Sequence, residues 1–267
     1  RDETVMVGGA GNVVRNLVAI GVETELVAVI GDDAAGWELR SLLDAEALES
    51  ACLIETPGRG TTIKTRFSAS GQQLLRADRE SSEPLDVVAA QALLDQSIKS
   101  LQSCAVLILS DYGKGVLEDA VLTPLLAEAQ RLGRPVIVDP KGLDYSRYKG
   151  ATLLTPNRRE LAQASGGSTD DDASVVAAGR RIIEQCGVTA VLATRSEQGM
   201  TLIDADDTRH LAARAKEVFD VSGAGDTVAA AMAAGLAAGA SLELAARLAN
   251  TAAGIVVGKA GTAVAHA

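Results

Sequence analysis

Short runs of β-branched and aliphatic residues alternate along most of the chain with longer stretches of helical periodicity. Continuous apolar runs predict buried strands at residues 25–30, 105–109, 135–138, 151–154 and 188–193. Between them, apolar residues recur at helical spacing over 13–20, 36–45, 86–101, 117–132 and 173–185. Strands apolar on both faces that alternate with helices predict an α/β fold: a mostly parallel sheet covered on both sides. Residues 61–68 and 72–79 break this rhythm. Their polar alternation around the small-residue turn Ala69-Ser70-Gly71 predicts a hairpin. The pattern alone fits an ordinary edge hairpin as well as a lid that keeps water from a reaction. The Ala-rich stretch 229–257 is interrupted by Ser241, Glu243, Arg247 and Asn250, so it predicts two helices rather than a membrane span. Gly166-Gly167-Ser168-Thr169 and the three aspartates after it predict a surface loop with solvated acids.

Aromatic residues make up only 2% of the 267 residues, so the core must be built from Ala, Val, Leu and Ile. That scarcity, with a net charge of -10, argues against a nucleic-acid binder, which needs stacking platforms and a basic surface. An anionic small molecule stays open, because a few local cations and backbone amides outweigh a global field. Cys52, Cys104 and Cys186 are far apart and form no C-x-x-C pair; with His210 and His266 they make no zinc set. They read as small buried hydrophobes of a reducing cytoplasm. No segment reads as a signal peptide.

Asp220-Val221-Ser222-Gly223-Ala224-Gly225-Asp226-Thr227 opens directly into the helical run 228–238. Gly223 and Gly225 permit close backbone approach, and the amides around Ala224 head a helix, where unpaired N–H groups and the dipole attract an anion. Fixed donors of this kind stabilise the charge on a phosphoryl group in flight. Beside them Asp226 could take the proton of an attacking hydroxyl, or it could simply cap the helix. The string is not a Walker A loop, a dinucleotide fingerprint or a nucleophile elbow.

Asp220 to Asp226 resembles the D-x-x-G-A-G-D motif of the PfkB (ribokinase-type) carbohydrate kinases, in which the last Asp is the catalytic base. Asn157-Arg158-Arg159-Glu160 is similar to that family's N-x-x-E motif, and Gly8-Gly9-Ala10-Gly11-Asn12 to its N-terminal Gly-Gly motif. The three occur in family order and the resemblance covers almost the whole chain. It implies a ribokinase-like three-layer α/β/α domain with a small β lid, and transfer of the γ-phosphate of ATP with Mg²⁺. By the same resemblance Asn157 and Glu160 organise Mg²⁺ and the phosphates, Glu160 through water. Gly8, Gly9 and Asn12 approach the sugar. Thr194, Arg195, Ser196, Glu197 and Gly199 lie beside the nucleotide, with Asn250 near the adenine. It also admits a monovalent cation such as K⁺ at Asp220 and Ser222, and a homodimer paired through the lids.

Within that family, Leu75-Arg76-Ala77-Asp78, Ser110-Asp111-Tyr112-Gly113-Lys114-Gly115, Val138-Asp139-Pro140-Lys141-Gly142, Leu153-Leu154-Thr155-Pro156-Asn157, Thr194-Arg195-Ser196-Glu197-Gln198-Gly199-Met200 and Val257-Gly258-Lys259-Ala260-Gly261-Thr262 resemble the heptose-phosphate kinase branch. That branch phosphorylates C1 of a heptose 7-phosphate on the way to nucleotide-activated heptose for lipopolysaccharide. Arg76, Lys114 and Lys141 then become candidates for a sugar phosphate, or else exposed surface charges. Asp78, Asp111 and Asp139 become candidates for sugar hydroxyls; Asp111 and Asp139 could equally cap the turns that follow them. A fructose-phosphate, ribose or nucleoside kinase, a non-catalytic binding module and a nicotinamide-dependent dehydrogenase are the rivals. Family members usually carry a further strand before the Gly-Gly motif and a helix after the last motif, so a single kinase domain lacking its usual first strand is the expectation.

Overall fold

The computed structural model describes residues 3–45, 51–69, 72–214, 219–259 and 263–266. Helix α1 (Ala10–Ala19) leads to β1 (Val27–Gly31), α2 (Ala34–Ala45) and β2 (Cys52–Thr56), then to a hairpin of β3 (Ile63–Ala69) and β4 (Gln72–Arg79). There follow α3 (Val87–Leu101), β5 (Leu107–Ser110), α4 (Asp119–Arg131), β6 (Val136–Asp139), β7 (Leu153–Leu154), α5 (Arg158–Ser165) and α6 (Asp172–Cys186). The chain ends through β8 (Ala190–Thr194), β9 (Met200–Asp204), β10 (Thr208–Leu211), α7 (Ala224–Ala237) and α8 (Leu242–Val256).

The main sheet has the order β10-β9-β8-β7-β6-β5. Strands β5 to β8 are parallel and β9 and β10 antiparallel. Alternate residues of one strand enter opposite cores. Val136 and Val138 pack with α3, α4 and α6, while Ile137 between them packs with α1, α7 and α8. In β8, Val191 and Ala193 face the first group, and Ala190 and Leu192 the second. This is the three-layer α/β/α arrangement. Alanine suits the second face, because α7 and α8 lie so close that a Cβ on Gly235 would fall 2.8 Å from that of Ala245. Ser241 accepts from the Leu244 amide at the head of α8, so the polar interruption in the Ala-rich stretch is a helix start.

Strands β2, β9 and β10 escaped the apolar-run pattern, since each is short or carries polar residues. The acids after Thr169 are exposed, as expected, and two of them also take part in local structure. Asp171 caps α6 in a reciprocal bond with Ser174, and Asp172 pairs with Arg195 at 2.6 Å. The hairpin forms as expected, although its turn residues Ser70 and Gly71 lie outside the described residues, as do residues 260–262 of the last motif string.

β1 and β2 form a separate parallel ribbon. Val27 and Ala28 of β1, Leu107 and Leu109 of β5, Leu17 of α1 and Ala233 of α7 line a common cleft of about 2680 Å³. The cleft continues over the hairpin to Lys114 and Asp226.

Candidate active site

Helix α7 begins one turn earlier than the apolar pattern predicts, at Ala224. Gly223 stands at its N-cap position with φ 78° and makes no side-chain cap bond. Asp226 therefore lies inside the first turn, and the capping alternative does not hold: its carboxylate takes side-chain donors from α1 and from the loop after β5. Oδ2 accepts from Nδ2 of Asn12 at 2.7 Å, and Oδ1 from the hydroxyl of Tyr112 at 3.3 Å. Burial pushes the Asp226 carboxyl upward, and these two donors pull it back toward the ionised form. Gly225 is exposed, with no atom within 4 Å of where its Cβ would stand. The Ala224 amide bonds the Val221 carbonyl at 3.2 Å, so the open donors of this first turn begin at Gly225, where an anion can approach.

Asn12 is fully buried on α1, whose helix takes in Ala10 and Gly11 of the Gly-Gly string; Gly8 and Gly9 precede it. One turn on, Asn16 donates to the Asn12 carbonyl and accepts from Thr227 at 2.8 Å, so two asparagines stitch α1 to the head of α7. Gly11 is required by packing, since a Cβ there would meet Val7 at 2.1 Å.

The loop after β5 supplies Tyr112 and Lys114. Asp111 is buried, and its carboxylate accepts from the Gly113 amide and from Tyr148, both at 2.7 Å, so it builds the loop, as the turn-capping alternative holds. Lys114 is ion-paired to Glu80 next to β4, and Arg59 donates to the carbonyls of Lys114 and Glu83. The hairpin is thus tied to the loop that touches Asp226. On the hairpin, Arg76 pairs with Asp78 at 3.0 Å, and Asp78 also takes Lys64 at 3.1 Å. Arg66 faces Arg76 directly across the two strands, a like-charge pairing that costs stability unless an anion joins it.

From the loop after β6, Lys141 reaches Glu160 at 2.9 Å. Asn157 and Glu160 form a capping box at the start of α5: each side chain bonds the other's backbone amide, at 2.9 and 3.0 Å. Asp139, partly buried at the end of β6, has its carboxyl pushed up to about 7, first by burial and then by the charges of Asp226, Glu160 and Asp111. After β8, Arg195 is buried and forks to Thr201, Gln198 and Asp172, holding Ser196 at φ 52°. It braces the loop that carries the exposed Glu197 and the half-buried Thr194. Gly199 answers to packing, for a Cβ there would meet the Leu211 carbonyl at 2.0 Å. Asn250 is buried and donates to the carbonyl of Ala212 at 2.8 Å.

All these loops leave the carboxyl ends of parallel strands or head helices, the edge where open α/β sheets collect ligands. The model of the pfkB family carbohydrate kinases matches residues 2–266. The chain belongs to that family. This pfkB kinase chain is 57% identical over 265 residues to the bifunctional protein HldE of Paramagnetospirillum magneticum, covering 99% of the chain and 54% of that protein. It is 55% identical to the HldE of Rhodospirillum rubrum, over 98% and 53%. It thus spans about half the length of the curated relatives it matches. Escherichia coli phosphofructokinase-2, solved in complex with potassium, superposes with a TM-score of 0.82 at 26% identity, covering 96% of this chain and 82% of that one. Arabidopsis thaliana ribokinase shares the fold, with a TM-score of 0.75 at 22% identity over 95% and 82%.

The family implies ATP and Mg²⁺. Among the described residues no three acidic or soft ligands converge on one point, so there is no inner cage. Burial first, and then the charges of Asp226 and Glu160, raise the Asp139 carboxyl to about 7. Such a donor set suits an ion that keeps its waters and leans on substrate phosphates. Asp220 accepts from the Ser222 amide at 2.8 Å in a tight turn just before α7. Two groups in the site carried no role in the sequence reading. Tyr112 stood within a quoted string, and Arg66 is identifiable only once strand register is known.

Proposed function

We propose that this kinase transfers the γ-phosphate of ATP to the C1 hydroxyl of D-glycero-D-manno-heptose 7-phosphate, giving the 1,7-bisphosphate. The observation that carries the reading is Asp226, inside the first turn of α7 and beside the open amide face at Gly225. The acceptor oxygen forms its bond to the γ-phosphorus as the bond to the β-γ bridging oxygen breaks. ADP leaves, and the acceptor proton ends on Asp226. The helix amides hold the transferring phosphoryl group, and the loop 194–199 flanks the nucleotide. Mg²⁺, when bound, would neutralise phosphate charge, with Glu160 holding it through water and Asn157 fixing Glu160. K⁺ at Asp220 and Ser222 would steady the turn before the base.

The heptose assignment is supported by the strings around Arg76, Lys114, Asp139 and Lys141 and by the identity to the HldE proteins. On the hairpin side of the cleft Lys64, Arg66, Arg76 and Lys114 outnumber Asp78 and Glu80, although the lining as a whole carries more carboxylates than cations. Gly8, Gly9 and Asp78 line the sugar space. We further propose a single kinase domain acting in the cytoplasm; among the described residues no helix is long and apolar enough to cross a membrane. The exposed cross-strand pair Phe67 and Leu75 on the hairpin supports a homodimer joined through the lids. A second reading, fructose phosphate, is favoured by the phosphofructokinase-2 likeness.

The test is ADP release from Mg·ATP with heptose 7-phosphate, fructose 6-phosphate, fructose 1-phosphate, ribose and adenosine, with Asp226→Asn as control. Selective turnover of the heptose phosphate, lowered about 10²-fold or more in the control, is expected. Turnover of another acceptor discards the heptose assignment, and an unimpaired control removes Asp226 as base.

A further inference from the structure

The two oxygens of Asp226 differ in what holds them. Oδ2 is bound from the protein interior by Asn12, which is fully buried and fixed in turn by α1. Oδ1 is bound from the cleft side by Tyr112, 38% exposed, whose ring lies 3.5 Å from where a Cβ on Gly9 would stand. The Tyr112 bond, at 3.3 Å, is long for a hydroxyl meeting a carboxylate, where about 2.5–2.7 Å marks a strong one. The structure assigns Tyr112 a placeholder role: its hydroxyl occupies, on Oδ1 of Asp226, the donor position that the acceptor hydroxyl takes when the sugar binds. This rests on the reading of Asp226 as base.

The chemistry is consistent on both sides of the exchange. Burial and the charge of Asp226 raise the Tyr112 phenol far above its ordinary range, so it stays a donor and cannot itself accept the acceptor proton. An acceptor hydroxyl entering from the cleft meets Oδ1 on the side where the phenol stands. Oδ2 is the less accessible oxygen, since it is held on the interior side by the fully buried Asn12. Tyr112 also has a path of withdrawal. Its backbone is held by the Asp111–Gly113 bond, but its side chain is exposed to the cleft, so rotation of the side chain alone takes the hydroxyl off Oδ1. Tyr112 is therefore a positioning residue that keeps the base ionised and ordered in the empty site and yields to substrate.

The test is the pH dependence of Tyr112→Phe, which keeps the ring against Gly9. The other ionisable groups facing the base, Asp139 with Glu160, Lys141 and Asp111 around it, are unchanged in this variant. The acid limb of kcat/KM reports the free enzyme, where the phenol helps hold Asp226 ionised; it moves to higher pH. The acid limb of kcat reports the complex, which the phenol has left; it stays in place. KM falls roughly five-fold, the size of one net hydrogen bond no longer displaced. Both limbs moving together, or neither, overturns the placeholder role. Normal turnover in Asp226→Asn overturns it through the base reading, and an inactive Asp226→Asn with unmoved limbs in Tyr112→Phe overturns the placeholder alone. A crystal structure with acceptor sugar and Mg·ADP reads the same point in the wild-type protein. The Tyr112 hydroxyl beyond hydrogen-bond reach of Asp226 supports the exchange, and the same contact retained overturns it.

Discussion

Asn12 and Asp226 stand 214 positions apart in sequence, and the side-chain amide of one donates to the carboxylate of the other at 2.7 Å. The bond fixes the α7 carboxylate from α1 and favours its ionised state against the cost of burial. Asn12→Ala is expected to lose about 1.5–3 kcal/mol of stability, the range for a bond to a charged group. It also raises the acid limb of kcat/KM, since an ion-favouring donor is gone. Urea unfolding and the pH–rate profile check the two effects separately.

Asp139 gives stability a pH dependence of known sign. Its carboxyl titrates at about 7 in the folded protein, against the ordinary value near 3.8. The folded state holds the proton longer than the unfolded one, so this contribution is complete below about pH 4 and fades as pH rises to about 7. Mg·ATP relieves the crowding of Asp139, Asp226 and Glu160 and is expected to raise Tm more at pH 8 than at pH 5. Thermal melts at both values, with and without Mg·ATP, measure this.

Gly199 has φ 86° and sits against the backbone of Leu211 and Ala213. Gly199→Ala is expected to cost more than about 1 kcal/mol through the backbone angle alone, with the overlap adding to it. The loss appears in denaturant unfolding without added nucleotide, which distinguishes a packing role from phosphate contact.

Lys114 bridges the hairpin to the loop of Tyr112 through Glu80. Lys114→Ala is expected to raise KM for a sugar phosphate while kcat changes less, by removing a cation from the cleft wall and loosening the hairpin. An unchanged KM would reduce the lysine to its ion pair with Glu80.

The sequence by itself determined the architecture. Strands such as β6 and β8 are apolar up to their last residues, Asp139 and Thr194, because both faces are covered, and that leaves a continuous apolar run in the chain. The Gly-Ala-Gly-Asp string is likewise local, since a helix head with glycines needs only neighbouring residues to make an anion site. Strands β2, β9 and β10 were not legible, because their burial is completed by neighbours distant in the chain. The tertiary structure alone decided what each charged candidate faces. Asp111 builds a loop, Arg195 braces one, Lys141 meets Glu160, and Arg66 confronts Arg76 only through strand register. It also decided that Asp226 is held by Asn12 and Tyr112 rather than by its own helix. A hydrogen bond across more than a hundred residues leaves no periodicity, since it depends on where the fold brings two side chains and not on their spacing.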